Sequence, residues 1–346
     1  MSQPEVSVIV VNWNRRDLLR RCLRSLARQT GVAFEVILVD NGSEDGSAEM
    51  AQTEFGSQPS FPLRILRNPV NRGFCAANNQ GIAAARGSFI ALLNNDAEAA
   101  PGWLAALRGA FDDRPDVGMA ASKVLVREDP ARIDKAGHLI YPDGQNRGRG
   151  SGELDRGQYD RMEEVLWPDG CAAMYRRSML HEIGGFDEDF FAYGDDAELG
   201  LRARLAGWRC LYVPSAVVWH SRAATLGLTS ARRLQLIERN RILLAVKLFP
   251  WSLLLLNPVY FAARLGAGAW AAVHSRGELS RYPGLSGKLR AALAVLHGDL
   301  AALPLIPRML RKRRALRRLR KLSDSELRRL ILGHRIGLRE MMEQAA

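Results

Sequence analysis

VSVIVVNWNRRDLLRRCLRSLARQTGVAFEVILVD, residues 6–40, decides the fold. Val6–Val11 is a short apolar run, Arg15–Arg28 carries its apolar residues at helical spacing, and Glu35–Val39 is apolar again. The alternation continues outward. Asp45–Phe55 has a helical pattern, Leu63–Leu66 is followed by Phe74–Arg86, and Ser88–Leu93 by Trp103–Phe111. Strands too apolar to face water, each followed by a helix, predict a doubly wound α/β domain: a mostly parallel sheet with helices on both faces. In such sheets ligands bind outside the carboxyl ends of the strands, so the residues just after each strand are where chemistry is expected.

The 346 residues, 47% of them hydrophobic, can supply a sizeable core, which excludes disorder along the whole chain. The net charge of +12 is unevenly distributed. Residues 231–346 hold 23 Lys and Arg against 7 Asp and Glu, a net of +16, whereas residues 1–230 hold 26 against 30, a net of −4. Four scattered cysteines without a C-x-x-C pair argue for a reducing compartment and against zinc-finger or disulfide frameworks. The opening MSQPEVSVIVV has no basic region before its apolar run, so it reads as a first strand and not a secretion signal. A catalytic face in the cytosol is the expectation.

Beyond Val117 the rhythm loosens, and the polar, Gly-rich Asp143–Gly157 reads as a mobile loop, either a lid or an acceptor-side insertion. Ile242–Val273 is apolar and long enough to span a bilayer, but Lys247, Pro250, Asn257, Pro258 and Arg264 interrupt it. Helices lying in the membrane interface, or a re-entrant hairpin bent at Pro258, fit that pattern better than a span, and a helical cap on the catalytic domain is the alternative. RKRRALRRLRK, Arg311–Lys321, has no aromatic residue for base stacking, so nucleic acid is not the expected partner. The chain therefore divides into a catalytic domain, 1–230, and a basic, apolar helical region, 231–346, suited to an anionic membrane surface.

Neither G-x-G-x-x-G nor a Walker lysine follows the first strand, so NAD and ATP chemistry are not indicated. Asp40 ends the second strand, where a carboxylate can accept from N3–H of uracil or thymine or, equally, shape a loop. SFIALLNNDAEAAPGW ends its apolar run in Asn94, Asn95, Asp96 and Glu98. Oxygen ligands there can hold a divalent cation against a diphosphate, or Asp96 can cap the following helix. Asp195, Asp196 and Glu198 crowd the start of a probable helix, as a general base with its neighbours or as ordinary first-turn acids.

Taken together, VSVIVVNWN, VILVDNGSEDGS, LRNPVNRGFCAANNQGI, FIALLNNDAE, GCAAMYRRSML, GGFDEDFFAYGDDAELGLRARLAGW and VVWH, in order from Val6 to His220, resemble the motifs of family 2 glycosyltransferases. The likeness is greatest to the rhamnosyltransferase-like branch that builds bacterial cell-surface polysaccharides. The resemblance implies a GT-A-type fold and a dTDP- or UDP-sugar donor. Asp40 would contact the base beside Val11, Asn12 and Asn14, while Asn71, Gly73, Asn79 and Asn95 would line the nucleotide cleft. Asp96 would be the principal acid for Mg²⁺ or Mn²⁺ and His220 would complete the metal site. Most members carry an acid two positions before Asp96, where this chain has Asn94. Asp196 would be the base with Asp195 as acidic neighbour, and Trp167 and Asp169 would shape the sugar pocket, although Trp167 fits a core position equally.

The implied reaction is an inverting displacement in which Asp196 takes a proton from an acceptor hydroxyl as that oxygen attacks the anomeric carbon. The acceptor would be a lipid-linked glycan or polysaccharide at the cytoplasmic face of a bacterial inner membrane, with the enzyme peripheral or monotopic. Transfer to polyprenyl phosphate itself and a non-catalytic sugar-binding relative are the alternatives.

Overall fold

The structure is a computed structural model and describes residues 3–57, 60–221, 230–274, 282 and 284–343. Its strands are β1 (Val6–Asn12), β2 (Phe34–Asp40), β3 (Leu63–Arg67), β4 (Phe89–Leu93), β5 (Ala97–Ala99), β6 (Val117–Val126), β7 (Ile133–Lys135), β8 (His138–Ile140), β9 (Asn146–Gly148), β10 (Glu163–Glu164), β11 (Ala172–Arg176) and β12 (Arg209–His220). Helices α1 (Arg16–Leu26), α2 (Ser47–Phe55), α3 (Phe74–Ala84), α4 (Trp103–Gly109), α5 (Arg177–Ile183) and α6 (Asp195–Leu205) alternate with them. Six more follow: α7 (Ala231–Leu248), α8 (Trp251–Val273), α9 (Gly284–Ala302), α10 (Ile306–Ala315), α11 (Asp324–Gly333) and α12 (Leu338–Glu343).

The main sheet runs β10-β12-β6-β11-β4-β1-β2-β3, with β5 paired to β12 and β7 to β6. The first four strands pair in parallel, as expected from their uninterrupted apolar runs. The sheet becomes mixed beyond them, because β11 lies antiparallel between β4 and β6. Alternate side chains of one strand serve two cores. Val8 and Val10 of β1 meet Leu19, Leu23 and Leu26 of α1, while Ile9 meets Cys75 and Ala77 of α3 on the other face.

The apolar stretch 242–273 divides between two environments. Leu243, Leu244, Leu248, Phe249 and Leu253 are buried in the same cluster as Trp167, Phe190 and Leu199, so α7 and the start of α8 pack as core. The rest of α8 turns Leu255 and Val259 outward. Pro258 does not bend it into a hairpin, because contacts hold both halves: Asn257 Nδ2 donates to Asp143 O (2.9 Å), and Arg264 is anchored beyond. Asp143–Gly157 is not a projecting loop either. It contains β9, paired to β8, and Asp143 lies fully buried under the C-terminal helices.

Arg264, an interruption in the sequence pattern, is thus an inward-facing anchor. Its Nε donates to Asp143 Oδ2 (2.6 Å), and its two terminal nitrogens reach Glu238 Oε1 (2.9 Å) and Oε2 (2.7 Å). Arg241 closes the network on Glu238 (2.9 Å) and Asp299 (2.9 Å), joining α7, α8 and α9 to the β8–β9 hairpin. Removing one partner from such a buried network leaves a carboxylate uncompensated, at a cost of about 3–5 kcal/mol. Arg264→Ala should therefore lower unfolding stability by about that amount in denaturant titration, whereas a change below about 1 kcal/mol would mean that the arginine is dispensable.

Candidate active site

Parallel registration brings the strand ends to one edge. Asn12 pairs with Asp40 across β1 and β2, and Asn12 Nδ2 reaches Ser43 Oγ (3.2 Å) and Asp40 Oδ1 (3.5 Å). Asn95 Nδ2 donates to Asn12 Oδ1 (2.7 Å), which ties the end of β4 to that of β1. Asn14 takes a left-handed conformation (φ 50°), and its Oδ1 accepts from Glu44 N (2.8 Å). Val11, Asn12, Asn14, Asp40 and Asn95 therefore share one corner.

Asn71 Oδ1 accepts from Asn41 Nδ2 (2.9 Å) and Gly73 N (2.9 Å), bracing the turn into α3. Asn41 was not singled out in the sequence, although its position directly after Asp40 was the available signal. Asn79 does not join this corner. Both ends of its amide bind the Phe186 backbone (2.9 and 2.8 Å), so it fastens α3 to the segment that leads toward α6.

At the next strand end, Asp96 Oδ1 is buried, accepts no hydrogen bond and lies 3.4 Å from His220 Nε2. His220, the last residue of β12, pairs with Ala97 in β5, immediately after Asp96. Its Nδ1 is 2.7 Å from Asp134 Oδ2. Asp134 is the extra residue of a bulge, since Val124 pairs with Lys135 and Leu125 with Ile133; bulges of this kind re-aim a side chain. A carboxylate on Nδ1 fixes the tautomer that leaves the Nε2 lone pair for a metal. The unpartnered Asp96 oxygen beside it supplies an oxygen ligand, so the pair fits a divalent cation.

A second cluster adjoins the first. His138 Nε2 lies 2.9 Å from Asp169 Oδ2 and 3.5 Å from Asp196 Oδ2, and Lys135 Nζ lies 2.9 Å from Asp169 Oδ2 and 3.8 Å from Asp134 Oδ2. His138, Asp169 and Asp196 are close enough to hold an ion. The Lys135 ammonium beside Asp169 opposes a second positive charge there. Burial raises the Asp169 carboxyl, but Lys135 and His138 outweigh it and hold the group well below the ordinary range. Trp167 is fully buried, stacked on His138 with ring centroids 5.7 Å apart and pressed against Gly200. It forms the back wall of the cluster and does not line an open sugar pocket. Lys135 and His138 were missed because IDKAGHLI carries them singly, in short strands without a motif.

Asp195 and Asp196 open α6. Burial and the neighbouring Asp196 push the Asp195 carboxyl well above the ordinary range. Burial also raises Asp196, with Asp169 adding to the rise, while His138 and Lys135 pull it back. Asp195 is therefore the member that holds a proton more tightly, and Asp196 is the readier carboxylate.

The approach to α6 is constrained as well. Phe191 (φ 64°), Tyr193 (φ 67°) and Gly194 (φ 74°) are all left-handed, a conformation that costs non-glycine residues about 1–3 kcal/mol each. Gly73 (φ 85°) packs so tightly on this turn that a Cβ there would lie 2.5 Å from the Phe191 ring. Gly73→Ala should destabilise the fold by about 2 kcal/mol in thermal melts. A melting temperature equal to the parent would show that the Phe191 ring moves freely.

Comparison with known proteins identifies the family and the fold. The model of the family described as "Glycosyl transferase family 2" matches residues 7–184. The N-acetylglucosaminyl-diphospho-decaprenol L-rhamnosyltransferase of Mycobacterium tuberculosis (strain ATCC 25618 / H37Rv) is 29% identical over 248 residues, which cover 66% of this chain and 79% of that protein. In fold, the mannosyltransferase PcManGT of Pyrobaculum calidifontis, solved with GDP-Man and Mn²⁺, superposes with a TM-score of 0.52 at 19% identity over 92% of this chain and 86% of its own. GalNAc-T7, solved with UDP, GalNAc and Mn²⁺, gives 0.57 at 17% identity over 70% of this chain and 48% of its own. The strand order, the acids gathered at the carboxyl edge and the family match lead to one conclusion: the chain belongs to glycosyl transferase family 2.

Proposed function

We propose that the chain is an inverting, metal-dependent hexosyltransferase that moves a sugar, with rhamnose the first candidate, from a dTDP- or UDP-sugar to a lipid-linked or polysaccharide acceptor. The observation that carries this reading is the adjacency of two sites: Asp196, a half-buried carboxylate of raised pKa beside His138, and Asp96, whose buried Oδ1 faces His220 Nε2. The relative named as a rhamnosyltransferase carries N-acetylglucosaminyl-diphospho-decaprenol in its name, which supports a lipid-linked acceptor.

Each residue then has a separable task. Val11, Asn12, Asn14 and Asp40 hold the base, and the turn at Asn71 and Gly73 shapes the phosphate cleft. Asp96 and His220 hold Mg²⁺ or Mn²⁺, which when bound offsets the charge of the departing nucleoside diphosphate. Asp196 accepts the proton of the acceptor hydroxyl, while Asp195, holding its own proton more tightly, does not compete for that role.

The C-terminal region is compatible with work at a membrane surface, which the proposal places at the cytoplasmic face of a bacterial inner membrane. Gly284–Arg318 is the one helical run among the described residues long and apolar enough to cross a membrane, by length and composition alone. Leu285, Leu289, Leu296 and Leu300 of α9 are exposed along it, as are Leu255 and Val259 of α8. These side chains suit the apolar boundary of a bilayer, beside arginines of α10 suited to anionic headgroups. The apolar surface proposed to face the membrane thus combines the outward face of α8, within the stretch 242–273, with α9 beyond it.

Asp196→Asn should abolish transfer, by about 10²-fold or more, while the affinity for UDP or dTDP with Mn²⁺ stays unchanged in calorimetry. Turnover of the parent should fall as pH drops through the raised Asp196 pKa, because protonation removes the acceptor. Retention of a tenth of turnover by the asparagine variant, or an acid limb in the ordinary aspartate range, would remove Asp196 from that role. Asp134→Asn should weaken Mn²⁺ binding by about 10–100-fold without touching any ligand, as loss of a carboxylate behind a ligating histidine does elsewhere. Unchanged Mn²⁺ affinity would argue against His220 as a ligand.

A further inference from the structure

Asp196 follows a turn that the sheet does not hold. Phe191, Tyr193 and Gly194 are left-handed within four residues, and the base lies two positions after Gly194. From α3, Phe74 N (2.9 Å) and Cys75 N (3.3 Å) donate to Phe191 O. Every other carbonyl from Asp189 to Tyr193 receives a hydrogen bond from two neighbouring side chains of α7. Asn240 Nδ2 donates to Phe190 O (2.9 Å), Ala192 O (2.9 Å) and Tyr193 O (2.6 Å). Arg239 Nη2 donates to Asp189 O (3.0 Å) and Phe190 O (2.9 Å), and its Nε donates to Asn240 Oδ1 (2.9 Å), orienting the amide.

Asn240 is buried, and neither residue carried a signal in the sequence, where LIERNRILL reads as an ordinary helix. An amide with two hydrogens directed at three carbonyls of one turn does more than fill a core position. It fixes the backbone torsions of that turn, and with them the direction in which α6 begins.

We propose that Asn240, oriented by Arg239, is a positioning residue for the base: it locks the 190–194 turn so that the Asp196 carboxylate faces the acceptor hydroxyl. The inference rests on the assignment of Asp196 as base. It makes α7 part of the reaction machinery, although α7 holds no group that touches the reacting atoms. A displaced general base loses rate steeply, since a misplacement of about 1 Å costs about 10²-fold. Among the described residues no hydrogen bond links Asn12 or Asp40 to this turn, and Asn41 and Asn71 brace the adjoining Gly73 turn independently of α7, so nucleotide binding is expected to survive.

The test compares Asn240→Ala, Arg239→Ala, Arg239→Lys and Asp196→Asn with the parent full-length protein. Two quantities are read: turnover of a dTDP- or UDP-sugar as nucleoside diphosphate released in transfer, and the dissociation constant for UDP or dTDP with Mn²⁺. Asn240→Ala is expected to lose about 10²-fold in kcat with the nucleotide dissociation constant within about threefold. Arg239→Ala should lose about tenfold, and Arg239→Lys, which keeps a donor, should recover part of that loss. A role confined to stability would lower nucleotide binding and turnover in parallel, and that result overturns the proposal. If Asn240→Ala does not fold, the Arg239 pair decides, and parental kcat in Arg239→Ala overturns it. An inactive Asp196→Asn together with parental kcat in the Asn240 and Arg239 variants removes the positioning role alone, whereas an active Asp196→Asn removes the base and this inference with it.

Discussion

Like-charge repulsion among buried carboxylates is the constraint on which the rest of the structure depends. Asp96, Asp134, Asp169, Asp195 and Asp196 are gathered near one sheet edge with Lys135, His138 and His220 among them. Acids so close cannot all ionise freely in a medium of low dielectric. The fold resolves the conflict in different ways along the row. Lys135 and His138 hold Asp169 charged, Asp195 is driven toward its protonated form, and His220 sits between Asp134 and Asp96. One crevice thereby keeps a carboxylate–histidine pair and a carboxyl of raised pKa side by side.

That arrangement depends on features that interrupt regular structure. The parallel strands alone would deliver only Asn12, Asp40 and Asp96 to the edge. Antiparallel β11 follows the Asp169–Cys171 turn, the bulge in β7 aims Asp134 at His220, and the left-handed turn before α6 presents Asp196. Elements distant in sequence hold these interruptions in place. Lys247 of α7 bridges Asp187 (2.6 Å) and Glu198 (2.5 Å), and Lys312 of α10 pairs with Asp187 and Asp189. Lys247, and Lys312 of the basic run, are thus committed to contacts with the catalytic domain, and the C-terminal helices support the site as well as presenting an apolar surface.

How much of this was legible in the sequence follows from the range of the interactions. Eight of the nine elements from Val6 to Gly109, all but β5, could be read because burial on both faces of a parallel sheet imposes continuous apolar runs, and helices impose their own period. Asp40, Asp96, Asp196 and His220 stood out because each ends a strand or opens a helix in a recognisable motif. His138, Lys135 and Asn240 did not, since their roles arise from pairing between segments far apart in the chain and leave no local pattern. Trp167 could not be assigned from sequence because an aromatic residue that backs a site and one that lines it have the same signature. Arg264 and Pro258 carried a misleading one: they interrupt an apolar pattern, yet the arginine is satisfied by Glu238 and Asp143, and neighbouring contacts carry the helix through the proline.

In the proposed reaction a single proton acceptor activates the acceptor hydroxyl for direct displacement, with no enzyme group attacking the sugar. Such a reaction proceeds once through the anomeric carbon, and two displacements through a covalent intermediate would restore the starting configuration. The most direct test is the anomeric configuration of the transferred sugar, read by proton NMR of the product and compared with the donor. Inversion is the expected result. Net retention would contradict the proposal, because a single displacement from the face opposite the leaving group inverts the anomeric carbon.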